Sequence, residues 1–420
     1  MNDAAARHDA LRRRLLRAGA AAAGGLVLSG PRGALAAAVG GTAELGLAEI
    51  PDGALAEQHL YALPGKLPLI KKTYRPPNFE TPIEYLRTAI TRNDAFFVRW
   101  HLADIPQVSI KDWVLTVAGE SAQRERKFTM AQLRQEFRHD EITAVCLCSG
   151  NRRGLFEPHV AGVEWGVGAM GNAVWKGVRL KDVLATVGIR PDALEVVFDG
   201  ADRPVLDKTP DFVKSLPLEI ALDRNTLIAF EMNGKPLPAL NGFPARLVVP
   251  GWTGTYWVKA LTGIKIVSRP EGNFWMSTAY RLPRGRFKTP SFASQVKEAN
   301  EPITTMVVNS LITSPSSGQK IVRGKPIVVK GLAWDGGSGI AKVDVSTDAG
   351  ASWQEARLGP ELGLFSFREF SLSVPAAQPG MRLVMARATS RAGETQVEQL
   401  IHNPAGYHHN VIQRIAVEIA

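Results

Sequence analysis

Between residues 92 and 267 the apolar positions change period repeatedly, with strand-like runs of period two alternating with helical stretches of period near 3.6. Trp113–Ala118, Thr129–Phe137, Ile142–Leu147 and Leu180–Val187 are among these segments. Upstream, from Leu47 to about Thr91, Pro64-Gly65, Pro76-Pro77 and many polar residues predict an extended, loop-rich entry to the first domain. Several basic residues with Pro283, Pro290 and Pro302 then mark a linker, after which the pattern is wholly strand-like. Val343/Val345, Phe370/Leu372/Val374 and Ile415/Val417/Ile419 each trace one buried strand face. Several such strands in so short a stretch predict an immunoglobulin-like sandwich. The expected fold class is α+β, a mixed domain followed by an all-β sandwich. Its segments are a leader (1–40), an extended stretch (41–90), a mixed domain (91–282), a linker (283–302) and a sandwich (303–420). No internal repeat or heptad stretch interrupts this plan.

Composition sharpens the picture at the N-terminus. A chain of 420 residues, 45% of them apolar, can bury two cores. Its first forty residues differ from the rest: Arg12, Arg13, Arg14 and Arg17 precede an apolar run of small residues from Ala18 to Gly30, followed by Ala34-Leu35-Ala36. That is a signal-peptide pattern. The run falls well short of the roughly 20 residues a membrane-spanning helix needs, which favours cleavage over a stable anchor. Consecutive arginines before Leu15-Leu16 resemble the twin-arginine signal of proteins exported already folded, giving a periplasmic address; an ordinary secretory leader or a basic helix start fits the same residues. Six Arg and two Asp in these forty residues carry +4 of the formal +10. The remaining charge is modestly basic and scattered, without a basic stripe interleaved with aromatics. Nucleic-acid binding is not expected; a small anionic substrate or an acidic partner is.

Only two cysteines are present, Cys146 and Cys148, which excludes a disulfide framework. Bridging across one residue would be strained, so at least one thiol stays free. Ile142–Cys148 reads as a buried strand running into Ser149-Gly150-Asn151-Arg152-Arg153-Gly154, a turn that sets two guanidinium groups near the Cys148 thiol. Positive charge there favours the thiolate, the form that binds metals or attacks electrophiles. A small buried hydrophobe remains the alternative. Arg99 and His101, two apart on a strand, share one face, and such a face is as readily solvated or structural as functional.

The run Cys148-Ser149-Gly150-Asn151-Arg152-Arg153 resembles the signature loop of the sulfite oxidase family of molybdenum enzymes. The resemblance makes Cys148 the only protein ligand to molybdenum, whose other sulfurs come from the dithiolene of molybdopterin. Cys146 has no matching role and reads as strand packing. Phe96-Phe97-Val98-Arg99-Trp100-His101 is similar to a second family block that approaches both cofactor and substrate, with Trp100 standing where Asn is usual. Residues 241–251 and Trp257-Val258-Lys259 resemble the stretch that binds the pterin phosphate, with Arg246 and Lys259 as clamps. Asn241 replaces a usual His, and Trp257 a usual His or Ser. Asp202 matches a carboxylate that hydrogen-bonds the pterin, against an ordinary turn aspartate. Tyr280 matches an active-site tyrosine, against a packing tyrosine at the domain junction. Residues 331–340 and 346–353 look like the family's dimerisation domain, which implies a possible homodimer.

The resemblance implies oxidation of sulfite to sulfate in a pocket whose cationic wall is Arg99, Arg153 and His101, with Tyr280 steering proton movement. Cys-x-x-Cys-His is absent and no further cysteines could hold an iron–sulfur cluster, so no haem is expected in this chain. The implied acceptor is a c-type cytochrome, as a subunit or a soluble carrier. Two rivals stand beside this expectation. One is the sulfane dehydrogenase component of a sulfur-oxidising multienzyme system; the other is a non-enzymatic exported binding protein with a merely buried cysteine.

Overall fold

A computed structural model describes residues 59–284 and 300–420. The expected leader and most of the expected linker lie outside the described residues. Among the described residues no helix is long and apolar enough to cross a membrane.

The entry segment, expected to be loop-rich, is a small sheet. Leu60–Ala62, Pro68–Thr73 and Asn78–Glu80 pair in sequence, and the last of them pairs with Val98–Arg99. Period-two reading missed it because its strands are only two to six residues long and separated by prolines. This sheet gives Arg99 a fixed backbone.

Two larger sheets build the rest of the first domain. One orders Val213–Pro217, Glu195–Gly200, Leu261–Val267, Val114–Ala118 and Arg126–Thr129, with one parallel pair between Leu261–Val267 and Val114–Ala118. The other orders Lys235–Pro236, Leu227–Met232, Met170–Arg179 and His139–Leu147, and Arg246–Val248 joins it through Leu227–Met232. The helices between them are short, four to seven residues. Met130–Glu136 begins where the sequence dictates, because Thr129 and Gln132 form a capping box. Strand His139–Leu147 starts exposed and ends buried, with Val145 and Cys146 inside. It therefore delivers its C-terminal end, and the Cys148 turn after it, into the core.

The C-terminal residues form the expected two-sheet sandwich. Asn309–Ser314, Ile327–Trp334, Arg368–Val374 and Arg357–Leu358 make one sheet; Lys320–Ile321, Gln413–Ile419, Gly380–Ser390, Ile340–Ser346 and Gln354–Glu355 make the other. Val343, Val345, Phe370, Ile415, Val417 and Ile419 meet in the core between them, with Leu372 packed against it.

The domains are joined by polar and apolar contacts together. Val145 N donates to Phe365 O at 2.9 Å, and Asn172 Nδ2 to Ser366 Oγ at 2.9 Å. Leu86, Val145 and Met170 share an apolar cluster with Leu311, Leu332, Trp334 and Phe367. Arg152 is the charged member of these connections: buried, it donates to Ser310 O at 2.6 Å and Val411 O at 3.2 Å. Burial pulls its pKa down to about 10, so it stays charged at neutral pH. Replacing it by Met leaves two carbonyls without their charged donor. We expect Arg152→Met to lower the unfolding free energy by roughly 3 kcal/mol. Urea titration of wild type and variant measures this; a difference below about 0.5 kcal/mol would refute the role given to Arg152.

Candidate active site

Cys148 stands at the end of strand His139–Leu147, in a turn closed by Asn151 N donating to Cys148 O at 2.9 Å and fixed by Cys148 N donating to Ala169 O at 2.9 Å. Cys148, 8% exposed, lines a pocket that holds about 440 Å³ of empty space, part of it open to solvent. Phe96, Phe97, Arg99, His101, Cys146, Ser149, Leu240, Asn241, Arg246, Gly254, Thr255, Lys259 and Tyr280 complete the lining. Four segments far apart in sequence thus meet at one void: residues 96–101 around the short strand Val98–Arg99, the strand end and turn at 146–149, the stretch at 240–259, and Tyr280.

Of the residues singled out from the sequence, Phe97, Arg99, His101, Cys148, Asn241, Arg246, Lys259 and Tyr280 line this cavity. Val98, Trp100, Trp257 and Val258 do not; they are core residues behind it. Trp100 nevertheless touches the site, since its ring lies 4.7 Å from Lys259 Nζ and its Nε1 donates to Leu240 O at 3.0 Å. Asp202 is buried near Lys259, and burial raises its pKa to about 6 against the opposing pull of that lysine.

Arg153 departs from expectation. Its Nε donates to Ala405 O at 3.0 Å and its Nη1 to Val163 O at 3.2 Å, and it is absent from the cavity lining. Arg152 likewise faces the C-terminal domain. The direction of Arg153 follows from the backbone, where Arg152 adopts φ +68°, a left-handed conformation, and from these two carbonyls together. Neither guanidinium of the pair therefore forms the wall beside the thiol. Arg99 supplies charge there instead, since the Cys148 thiol is among the groups acting on its guanidinium.

Arg99 donates to Asn78 Oδ1 at 3.1 Å, to Trp100 O, and to the Tyr280 hydroxyl at 3.5 Å. Burial opposes its charge, but the Tyr280 phenol and the Cys148 thiol outweigh that and move its pKa upward. The Tyr280 hydroxyl lies 2.5 Å from His101 Nε2. Burial, then Arg99, Lys259 and Lys214, hold His101 well below the usual imidazole range, so it is neutral. A neutral ring accepting at Nε2 carries its proton on Nδ1, which is buried without a partner. His101 is further stacked on Phe212, with centroids 3.6 Å apart.

Several site residues gave no signal in the sequence. Lys66, from a turn in the entry segment, is buried and donates to Asn93 O, Phe96 O and Asn241 Oδ1. Asn241 Nδ2 in turn donates to Phe97 O at 3.0 Å, so this side chain is committed to the scaffold. Lys214 donates to Trp275 O at 2.7 Å and lies over the rings of Tyr256 and Tyr280. Cys146, read as strand packing, is packed in the core and also faces the cavity, 3.8 Å from Arg246 Nη2.

The chemistry of the lining selects an anion with a soft metal-binding partner. Among the described residues no carboxylate lines the cavity. Arg246 Nε, Ser149 Oγ, Thr255 Oγ1 and His101 Nδ1 are buried polar atoms with no hydrogen-bond partner among those residues. Unmet donors beside buried cations and a thiol fit a bound phosphate-bearing, sulfur-ligated metal cofactor.

Residues 101–275 match the family described as "Oxidoreductase molybdopterin binding domain", and residues 300–420 match "Mo-co oxidoreductase dimerisation domain". The class is thus a two-domain molybdopterin oxidoreductase. Mitochondrial sulfite oxidase of Homo sapiens is 35% identical over 338 residues, 76% of this chain and 60% of that protein. The Drosophila melanogaster enzyme is 34% identical over 77% of this chain and 56% of its own length, and sulfite oxidase of Arabidopsis thaliana is 33% identical over 74% and 81%. The crystal structure of sulfane dehydrogenase SoxCD from Paracoccus pantotrophus superposes with a TM-score of 0.70 at 28% identity, covering 82% of this chain and 85% of that one. This chain belongs to the sulfite oxidase family of molybdopterin enzymes. It spans about six tenths of the length of its fly and human relatives.

A pH dependence follows from Lys259. Burial first, then Arg246, lowers its pKa from 10.5 to about 8. Between those values the unfolded chain holds a proton that the folded chain does not, so stability rises with pH across that window. We expect the protein prepared without cofactor to gain about 3 kcal/mol from this group between about pH 8 and pH 10.5. Lys259→Met should lack that part of the rise. Urea unfolding at both ends of the window tests it; identical profiles for the two proteins would contradict the assignment.

Proposed function

We propose that this chain is an exported, periplasmic sulfite dehydrogenase that oxidises sulfite to sulfate and passes the electrons to a c-type cytochrome. The observation that carries this reading is the meeting of Cys148, Arg99, His101 and Tyr280 at one cation-lined cavity. Cys148 is the metal ligand. The match to the molybdopterin-binding family supports molybdopterin as the source of the remaining ligands. Arg246 and Lys259 clamp its phosphate, while Asp202 and the backbone around Asn241 and Val258 border the pterin. Phe97, Val98, Trp100 and Trp257 shape the walls around it. When bound, the cofactor supplies oxygen-atom transfer and takes up two electrons.

The protein's own residues handle the oxyanion and the protons. Conversion of sulfite and water to sulfate releases two protons and two electrons. Arg99 binds sulfite oxygens by charge-assisted hydrogen bonds and so fixes the direction of its sulfur lone pair. Tyr280 donates to neutral His101, which leaves its phenolic oxygen free to accept from Arg99 or from water. Neutral His101 fixes the direction of the Tyr280 phenolic proton. Arg153 acts from behind the wall. The C-terminal immunoglobulin-like sandwich serves a homodimer, and electrons leave one at a time to the external cytochrome.

A second reading is favoured by the likeness to SoxCD: a sulfane dehydrogenase component whose substrate arrives on a carrier protein. Sulfite-dependent cytochrome c reduction by the purified, cofactor-loaded protein separates the two. Strong turnover of free sulfite supports the first reading; none without a carrier supports the second. We expect Cys148→Ser to abolish turnover. Arg99→Met should lower kcat/KM by roughly 10- to 100-fold, through a raised KM and a lower kcat. Unchanged turnover in Cys148→Ser would remove the basis of both readings.

A further inference from the structure

Tyr407 lies in the C-terminal region, between the strands Gly380–Ser390 and Gln413–Ile419, yet its ring is buried against the cavity wall of the first domain. It stacks on Tyr280 with the rings 6° from parallel and centroids 5.6 Å apart. The Arg153 guanidinium lies 5.1 Å from the centroid of the same Tyr407 ring. The segment that presents Tyr407 is held at every step. Arg153 Nε donates to Ala405 O, Asn403 Nδ2 donates to Tyr407 O at 2.9 Å, and Tyr407 N donates to Asn403 Oδ1 at 3.1 Å. Gly406 sits at φ +62°, where an added Cβ would come within 2.5 Å of Val160 Cγ2 and 2.7 Å of Arg153 Cγ. The chain can pass Arg153 only as glycine.

Tyr280 has need of such a brace. Its φ is +57°, a conformation that aromatic residues rarely adopt unless their surroundings impose it. Its hydroxyl must also stay on His101 and Arg99. A flat ring laid against it from the other domain restricts both its rotamer and its tilt. Arg153, absent from the cavity, fixes the ring that fixes Tyr280.

We propose that Tyr407, braced by Arg153, is a positioning residue that holds the Tyr280 hydroxyl on His101 and Arg99, so that the C-terminal domain completes the active site. This rests on the reading of Tyr280 as an active-site residue.

The test uses the cofactor-loaded protein and compares Tyr407→Phe with Tyr407→Leu, each alone and with Tyr280→Phe. Tyr407→Phe keeps the flat face and should retain kcat within about twofold, whereas Tyr407→Leu should lose roughly tenfold or more in kcat, with a smaller change in KM. In the Tyr280→Phe background no hydroxyl remains to be misplaced, and Tyr407→Leu should then cost less than about twofold. Calorimetric binding of inorganic sulfate gives a readout independent of turnover, and Tyr407→Leu should weaken it by about threefold or more. Molybdenum and pterin content should be the same in every variant. Tyr407→Met, which keeps volume without a flat face, carries the same comparisons should the leucine variant not fold. Wild-type kcat and sulfate affinity in Tyr407→Leu would overturn the proposal, as would a loss that persists undiminished beside Tyr280→Phe. If Tyr280→Phe alone turns over like wild type, the underlying reading of Tyr280 fails; if it is slow while the Tyr407 variants are not, only the role of Tyr407 fails.

Discussion

Taking a guanidinium or ammonium out of water costs several kcal/mol unless other groups compensate its charge. In this chain Arg99, Arg246 and Lys259 are buried around one void, and Lys66 is buried behind it against Phe96 and Asn241. Carbonyl oxygens and aromatic faces provide most of the compensation. Arg246 donates to Asn241 O and Trp257 O and lies over the rings of Trp175 and Trp257; Lys66 is tied to the carbonyls of Asn93 and Phe96. Backbone carbonyls can point at a side chain only where they are not spent on a ladder. The walls at residues 240–259 are for that reason largely turns and short 3-10 segments, interrupted by one three-residue strand, Arg246–Val248. What the protein leaves uncompensated is what an anionic cofactor would satisfy.

The same constraint explains which parts of the site could be read from the sequence. The strand and turn around Cys148 were legible locally, but its role, like those of Arg99, His101, Arg246 and Lys259, was legible only because their blocks resemble those of the sulfite oxidase family. Arg153 was placed on the wrong side of the wall. Its direction depends on the left-handed backbone at Arg152 and on carbonyls at Val163 and Ala405, and the second of these is 252 residues away. Lys66 gave no warning at all, since a lysine in a Pro-Gly turn is ordinarily a solvated side chain. Its three acceptors come from two other parts of the chain.

At the level of fold, the sandwich was the easier half. Alternating strands with one buried face announce themselves at short range, and the two sheets close over the residues that the alternation marked. The first domain was harder, because its helices last only one or two turns and the entry strands are interrupted by proline. Propensity in such short elements is weak, and pairing partners decide the outcome.

The bonds made by Arg152 also bear on how the turn that carries Cys148 is held. Its acceptors, Ser310 O and Val411 O, lie 158 and 259 residues further along the chain. The turn behind Cys148 is therefore anchored in part by the other domain. Loosening the C-terminal sandwich would free that turn as well, so rigidity beside the thiol is borrowed from a unit that contributes no sulfur of its own.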